Sequence, residues 1–322
     1  MTFIAAVVAK KGVALIADSL VTTSRPIVEA EDFLEYLQTK KKEGDEEIKI
    51  DPAEVIKLFK TKPSHTKDYQ EKLFEYEPFT AILTAGAATL NEKSIEASIE
   101  FAKGKFIPLT NPKSIEDRIE ELRAYFEEEV REAIANDISV RTTVFIVTNY
   151  SPQTHKTVIY KITVHRTDKD DLATEGYQPV TATLQPPDYT VVCEGQNRIS
   201  EKILFGDINF IVELIPRIVE KIAKDFEIPD DKIPDNYALE VLRSKEVLTA
   251  QFYDDIKINK ISELSLQQAV DLACLLMRIE RDIQRYTENI PTVGGVVKIA
   301  YIDDSGFKSL SGNGLTVPQE FK

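Results

Sequence analysis

The chain reads as an α+β protein whose strands and helices come in runs. Three observations predict this. Two short apolar runs, residues 3–9 and 13–17, flank Lys10-Lys11-Gly12 and read as a β-hairpin. Ile115, Ile119, Leu122, Phe126, Val130 and Ile134 recur at helical spacing. The whole order is strands, two helices, strands, helices, strands, without the strict βα alternation of a doubly wound parallel sheet.

The opening runs are almost continuously apolar, so both faces of their sheet should be covered. A hairpin centred near Lys11 sets Thr2 across from Leu20 and brings Asp18 diagonally beside Thr2. Residues 29–38 fit a short helix, and 39–47 form a solvated charge run. Lys57-Leu58-Phe59-Lys60 leads by a hairpin, with an enlarged polar tip at 61–78, into an apolar strand at 79–85. Ile95 and Ile99 mark a helix, and Ser114 with Asp117 caps the long helical stripe. Strands at 143–148 and 157–164 are separated by a turn at 149–153, and a third at 189–193 runs into Glu194-Gly195-Gln196. Residues 197–286 are mostly helical, with Ser265 capping a last helix whose apolar face is Leu266, Val270, Ala273 and Met277. A strand at 296–302 and a turn at 303–306 close the chain, with one more short strand after it.

Composition narrows the function. A net charge of −14 argues against nucleic acid as a main partner, because phosphate binding needs a basic face. The 43% hydrophobic content supports a sizeable core. Cys193 and Cys274 form no disulfide framework and suit a reducing compartment; each reads as a buried small hydrophobe, though Cys193 is also a possible thiol nucleophile. No apolar run has the length of a membrane span, and the first one lacks the basic segment of a signal peptide. A cytoplasmic protein is the expectation. His65, His155 and His165 lie scattered among polar residues, which offers neither a metal site nor a histidine triad, and no Gly-rich phosphate loop or internal repeat is present in the sequence.

Thr2 is the residue with the most chemistry to offer. Initiator methionine is normally removed before a small residue, and removal of Met1 leaves an α-amine and a hydroxyl on the same residue. That amine has a reference pKa of about 7.7–8.0 and can act as a general base near neutral pH. A threonine activated by its own α-amine is a known nucleophile. The bland alternative is a threonine that merely precedes a strand.

The stretch from Thr2-Phe3-Ile4-Ala5 to Gly12-Val13-Ala14-Leu15-Ile16-Ala17-Asp18-Ser19 resembles the start of a proteasome β-subunit. It is similar also to the proteolytic subunit of the bacterial two-component heat-shock protease. The resemblance implies that Thr2 is the nucleophile and that Asp18 supports a lysine heading the third strand and followed by an aliphatic residue. Lys57 in Glu54-Val55-Ile56-Lys57-Leu58-Phe59 fits that description, with Lys49 in Lys49-Ile50 as the alternative. The fourth strand of the family ends in an Ala-Gly that helps form the oxyanion hole, and Ala85-Gly86 matches, with Gly86 in that role. Where the family commonly has Gly-Ser-Gly followed by another small residue or by a serine that assists the nucleophile, this chain has Cys193-Glu194-Gly195-Gln196. Gln196 offers hydrogen bonds but no hydroxyl relay. The family's Asp-x-x-Ser is matched by Asn289-Ile290-Pro291-Thr292, with Asn289 for Asp and Thr292 for Ser.

The implied fold is the four-layer αββα sandwich of N-terminal-nucleophile (Ntn) hydrolases, two mostly antiparallel sheets between helix layers. It would form one domain over residues 1–322, with insertions near 24–50, 61–78 and 225–260. The implied activity is threonine-type peptide hydrolysis without cofactor or metal. Implied partners are peptide or unfolded protein as substrate, an ATP-dependent unfoldase, and copies of the chain in a closed homo-oligomeric ring. Two rivals are an amidase of the same fold acting on a small amide and a catalytically silent ring or scaffold subunit.

Overall fold

The computed structural model describes residues 2–40, 50–67, 69–107, 113–168, 171, 177–185, 190–205, 208–229, 232–234, 236–237, 240–241, 263–287 and 291–310. The first part of the chain gives β1 (Phe3–Ala9), β2 (Gly12–Ala17), β3 (Val21–Ile27), α1 (Ala30–Lys40), α2 (Pro52–Lys57), β4 (Lys60–Lys67), β5 (Leu73–Glu77) and β6 (Thr80–Gly86). The short pair β7 (Thr89–Leu90) and β8 (Lys93–Ser94) leads into α3 (Ile95–Phe106) and α4 (Ile115–Ala135). Then come β9 (Thr143–Ser151), β10 (Lys156–Val164), β11 (Thr181–Leu184) and β12 (Val191–Gly195). Helices α5 (Arg198–Phe205), α6 (Ile208–Asp225) and α7 (Leu266–Thr287) follow, and β13 (Lys298–Asp303) and β14 (Gly306–Ser309) end the described chain.

Two five-stranded sheets, each antiparallel throughout, run in the orders β12-β1-β2-β13-β14 and β11-β10-β9-β6-β5. The alternation of side chains along a strand explains how they stack. Ile4 and Ala6 of β1, with Val13 and Leu15 of β2, pack against Ala81, Leu83, Ala85 and Ile146 of the other sheet. Phe3, Ala5 and Val7 point the other way, onto Ala269, Val270, Ala273 and Met277 of α7. The second sheet has its own helix layer, where Ile119, Leu122, Phe126 and Val130 of α4 cover Ile82, Phe145, Val147 and Ile162. The layers are therefore helix, sheet, sheet, helix, and the continuously apolar β1 and β2 sit in the middle with both faces buried.

Three local readings change. The hairpin turn is Lys10-Lys11 alone, with Ala9 opposite Gly12, so the register lies one residue from the expected one. Asp18 then lines up with Phe3, donating its N–H to the Phe3 carbonyl at 3.2 Å, and Thr2 is not opposite Leu20. Lys57 does not head a strand. Asp51 caps α2 by accepting the Ala53 N–H at 2.9 Å, and Pro52 occupies its first turn, so the segment coils and ends at Lys57. Finally, the expected insertions at 24–50 and 61–78 belong largely to one excursion, a two-stranded ribbon of β3 and β4 with α1 and α2 beyond it. The remainder of 61–78 contains β5 itself. Much of 225–260 lies outside the described residues.

The caps behave as expected. Ser114 accepts the Asp117 N–H at the head of α4. At α7, Ser265 Oγ accepts the Gln268 N–H at 3.2 Å while Gln268 Oε1 accepts the Ser265 N–H at 2.9 Å, a reciprocal capping box. Ser265→Ala should lower stability by about 1 kcal/mol, measured by chemical denaturation.

Candidate active site

Five pieces of chain meet around the N-terminal end of β1. Thr2 is 3% exposed, and its carbonyl accepts the Gln196 N–H at 2.6 Å. Gly195, at φ 91°, presses its α-carbon against that same carbonyl, where any Cβ would overlap the Thr2 oxygen. The Ala85 methyl lies 3.6 Å from where a Gly195 Cβ would stand, so the end of β6 closes on the end of β12 beside Thr2. Gly86 takes φ 120°, with its α-carbon tight against the Thr142 carbonyl, and the following Ala87 N–H donates to Thr143 Oγ1 at 3.2 Å.

Asp18 follows β2 directly and is fully enclosed. Its Oδ1 accepts the Phe3 N–H at 3.2 Å and its Oδ2 accepts the Gly294 N–H at 3.1 Å. The third donor to Asp18 is a lysine, and it is Lys72. The Lys72 ammonium donates to Asp18 Oδ1 at 2.9 Å and to the Leu20 carbonyl at 2.6 Å. Its side chain is 5% exposed and that of Asp18 0%. Lys72 stands immediately before β5 and is held there by backbone: its carbonyl accepts the Thr84 N–H, and the Gln70 N–H reaches the Ser19 carbonyl.

Burial pushes the Asp18 carboxyl above its ordinary value, opposed by the Lys72 charge and the Phe3 and Gly294 N–H groups. Burial likewise pulls Lys72 below its ordinary value, opposed by Asp18. Each is the other's charged neighbour in this pocket, a paired arrangement that buried charges require. An ammonium has three hydrogens, and two of Lys72's are committed.

The residues singled out from the sequence divide accordingly. Thr2, Asp18, Gly86, Gln196 and Thr292 come together around this end of the sandwich. Lys57 does not join them: it is the exposed last residue of α2, because the capped helix takes the place of the strand it was expected to head. The bond to Asp18 expected of Lys57 is made by Lys72. Lys49 and Asn289 lie outside the described residues. Gln196 contributes its backbone N–H to Thr2. The Thr292 hydroxyl donates to Gln284 Oε1 at 3.2 Å.

Lys72 had a readable signal. Lys72-Leu73-Phe74 repeats Lys57-Leu58-Phe59, and it leads through Glu77-Pro78 straight into the next strand. Cys193 and Cys274 are both free and buried. Burial pushes both thiols up, Cys274 to about 12, which leaves neither as a ready thiolate. No helix among the described residues is long and apolar enough to cross a membrane.

No protein-family model matches the chain, and no curated protein matches it.

Proposed function

We propose that this chain is a threonine-type peptidase of the proteasome β-subunit kind, built on the Ntn-hydrolase sandwich. The observation that carries the proposal is the buried Lys72–Asp18 pair, hydrogen-bonded through Asp18 Oδ1 to the backbone next to Thr2. A closed protein interior admits such a pair at a high desolvation cost, which a catalytic lysine would explain.

In this reading, loss of Met1 frees the Thr2 α-amine. The Thr2 hydroxyl attacks the peptide carbonyl carbon, and the α-amine takes the hydroxyl proton directly or through water. The tetrahedral oxyanion is stabilised by the Gly86 N–H, a kind of donor whose loss typically costs about 2.7–4 kcal/mol. The third Lys72 hydrogen serves the developing alkoxide, while Asp18 and the Leu20 carbonyl fix the ammonium. Collapse breaks the C–N bond, the α-amine returns the proton to the leaving amine, and water hydrolyses the Thr2 ester.

The same reading includes a closed homo-oligomer in the cytoplasm, fed by an ATP-dependent unfoldase with peptide or unfolded protein. Light scattering over a concentration series tests the assembly, and a strict monomer at micromolar concentration overturns it.

The activity is tested by intact-mass measurement of Met1 removal, with fluorogenic peptides and small amides assayed in parallel. Peptide turnover by the Met1-free protein that vanishes in Thr2→Ala and partly survives in Thr2→Ser supports the mechanism. Turnover unchanged in Thr2→Ala overturns it. Hydrolysis of small amides alone points to an amidase. Turnover of neither, with Thr2 free, points to a silent subunit.

A further inference from the structure

Behind Asp18 lies a turn whose shape is set by a residue that no part of the mechanism uses. Gln284 is in the last two turns of α7 and is 1% exposed. Its Oε1 accepts three hydrogens from one short stretch: the Thr292 N–H at 2.7 Å, the Val293 N–H at 3.0 Å and the Thr292 hydroxyl at 3.2 Å. The two backbone N–H donors identify the atom as the oxygen, because the amide nitrogen turned the same way would set its own hydrogens against theirs.

The next residue along is Gly294. Its N–H donates to Asp18 Oδ2 at 3.1 Å, and its carbonyl accepts the Ser19 and Leu20 N–H groups, each at 3.1 Å. Leu20 in turn gives its carbonyl to Lys72. An unbroken set of bonds therefore runs from α7 through Gln284 to both members of the buried pair. Gln284 Nε2, by contrast, is buried without a partner among the described residues. An orphaned buried amide nitrogen is unfavourable.

We infer that Gln284 is a positioning residue for the Thr2 site: its amide oxygen holds the 292–294 turn so that Gly294 fixes Asp18, and through it Lys72. The inference rests on the peptidase reading for its kinetic consequence but not for its structural one. It also gives Thr292 a role. With its hydroxyl hydrogen on Gln284, Thr292 serves the turn.

The test compares Gln284→Met, which keeps the length and removes the acceptor, with Gln284→Glu, which restores an acceptor oxygen. Two readouts are needed. The first is hydrogen exchange of the Gly294 amide in protein labelled with 15N-glycine. The second is kcat and KM separately, on a fluorogenic peptide. In Gln284→Met the Gly294 amide should exchange about a hundredfold faster, as expected for a lost buried hydrogen bond opened locally. Its kcat should fall about ten- to a hundredfold, as for other lost positioning contacts, with KM within about threefold. Gln284→Glu should recover most of both.

Unchanged exchange and unchanged kcat in Gln284→Met, with only a lower melting temperature, overturn the inference. If Gln284→Met does not fold, Gln284→Asn, which withdraws the oxygen by one methylene, is judged by the same two readouts. Loss and rescue of Gly294 protection without peptide turnover in any variant or in the wild type support Gln284 as the support of Asp18 and overturn the peptidase reading alone.

Discussion

Lys72→Met should cut peptide turnover by about a hundred- to a thousandfold or more, the scale on which removal of one transition-state donor is felt, whereas Lys57→Ala should leave turnover unchanged. The contrast follows from place: Lys72 is enclosed against Asp18, and Lys57 projects from the end of α2 into solvent. The same substitution should also cost stability, by about 3–5 kcal/mol, because it leaves the Asp18 carboxylate buried without its cation.

That loss should depend on pH in a definite sense. Burial already holds the Asp18 carboxyl above its ordinary value, and removal of Lys72 raises it further. Between the ordinary and the raised value the folded state binds more protons than the unfolded chain, so lowering the pH through this window favours folding. The stability gap between Lys72→Met and the wild type should therefore narrow on acidification and widen as pH rises through the raised value. Urea denaturation at a series of pH values measures it. Asp18→Asn combined with Lys72→Met should recover part of the stability and none of the turnover. A gap independent of pH would show that Asp18 is not the group left unpaired.

Gly195→Ala is the second large effect. The residue has φ 91°, and its α-carbon faces the Thr2 carbonyl with no room for a methyl. Forcing a side chain into that backbone conformation costs about 1–3 kcal/mol before any clash is counted. The clash is with the Thr2 backbone carbonyl, which cannot swing aside as a flexible side chain can, so it is relieved by opening the pairing of Phe3 with Gly195. Thr2 is the residue displaced. Chemical denaturation should show a loss larger than the conformational cost alone, and turnover should fall with it. A near-wild-type melting curve with full activity would mean that the β1–β12 junction gives way more readily than its packing suggests.

The sequence made the layers legible because burial leaves a periodic trace. The continuous apolar runs of β1 and β2, the stripe of α4 and the capping box of α7 each declare a face. Thr2, Asp18 and Gly86 were legible because they flank strands that are themselves legible. Lys72 was missed for a specific reason. Lys-Leu-Phe occurs at 57–59 and again at 72–74, and the tripeptide alone does not separate a helix end from a strand start. The discriminating signals lie outside it. Asp51-Pro52 starts a helix before the first copy, while an alternating pattern and Pro78 follow the second. Gln284 was illegible altogether. A buried glutamine on an amphipathic helix looks like any polar residue near its end, and its meaning depends on a turn that only the fold brings under it.

The ribbon of β3 and β4 leaves the sandwich at Val21 and returns at Lys67, and these two residues are opposite each other in register. Paired residues in an antiparallel ladder have α-carbons about 4.5–5.5 Å apart, whatever hangs beyond them. Asp18 precedes the departure and Lys72 follows the return, so the spacing of the pair is insulated from the length of chain between them. Added length at the far end costs only the slow logarithmic growth of loop entropy. The doorway is thus a socket. A lineage can exchange, lengthen or shed what is plugged in there without retuning the charges beneath it, and an engineer can use the same opening to graft a foreign module onto the scaffold.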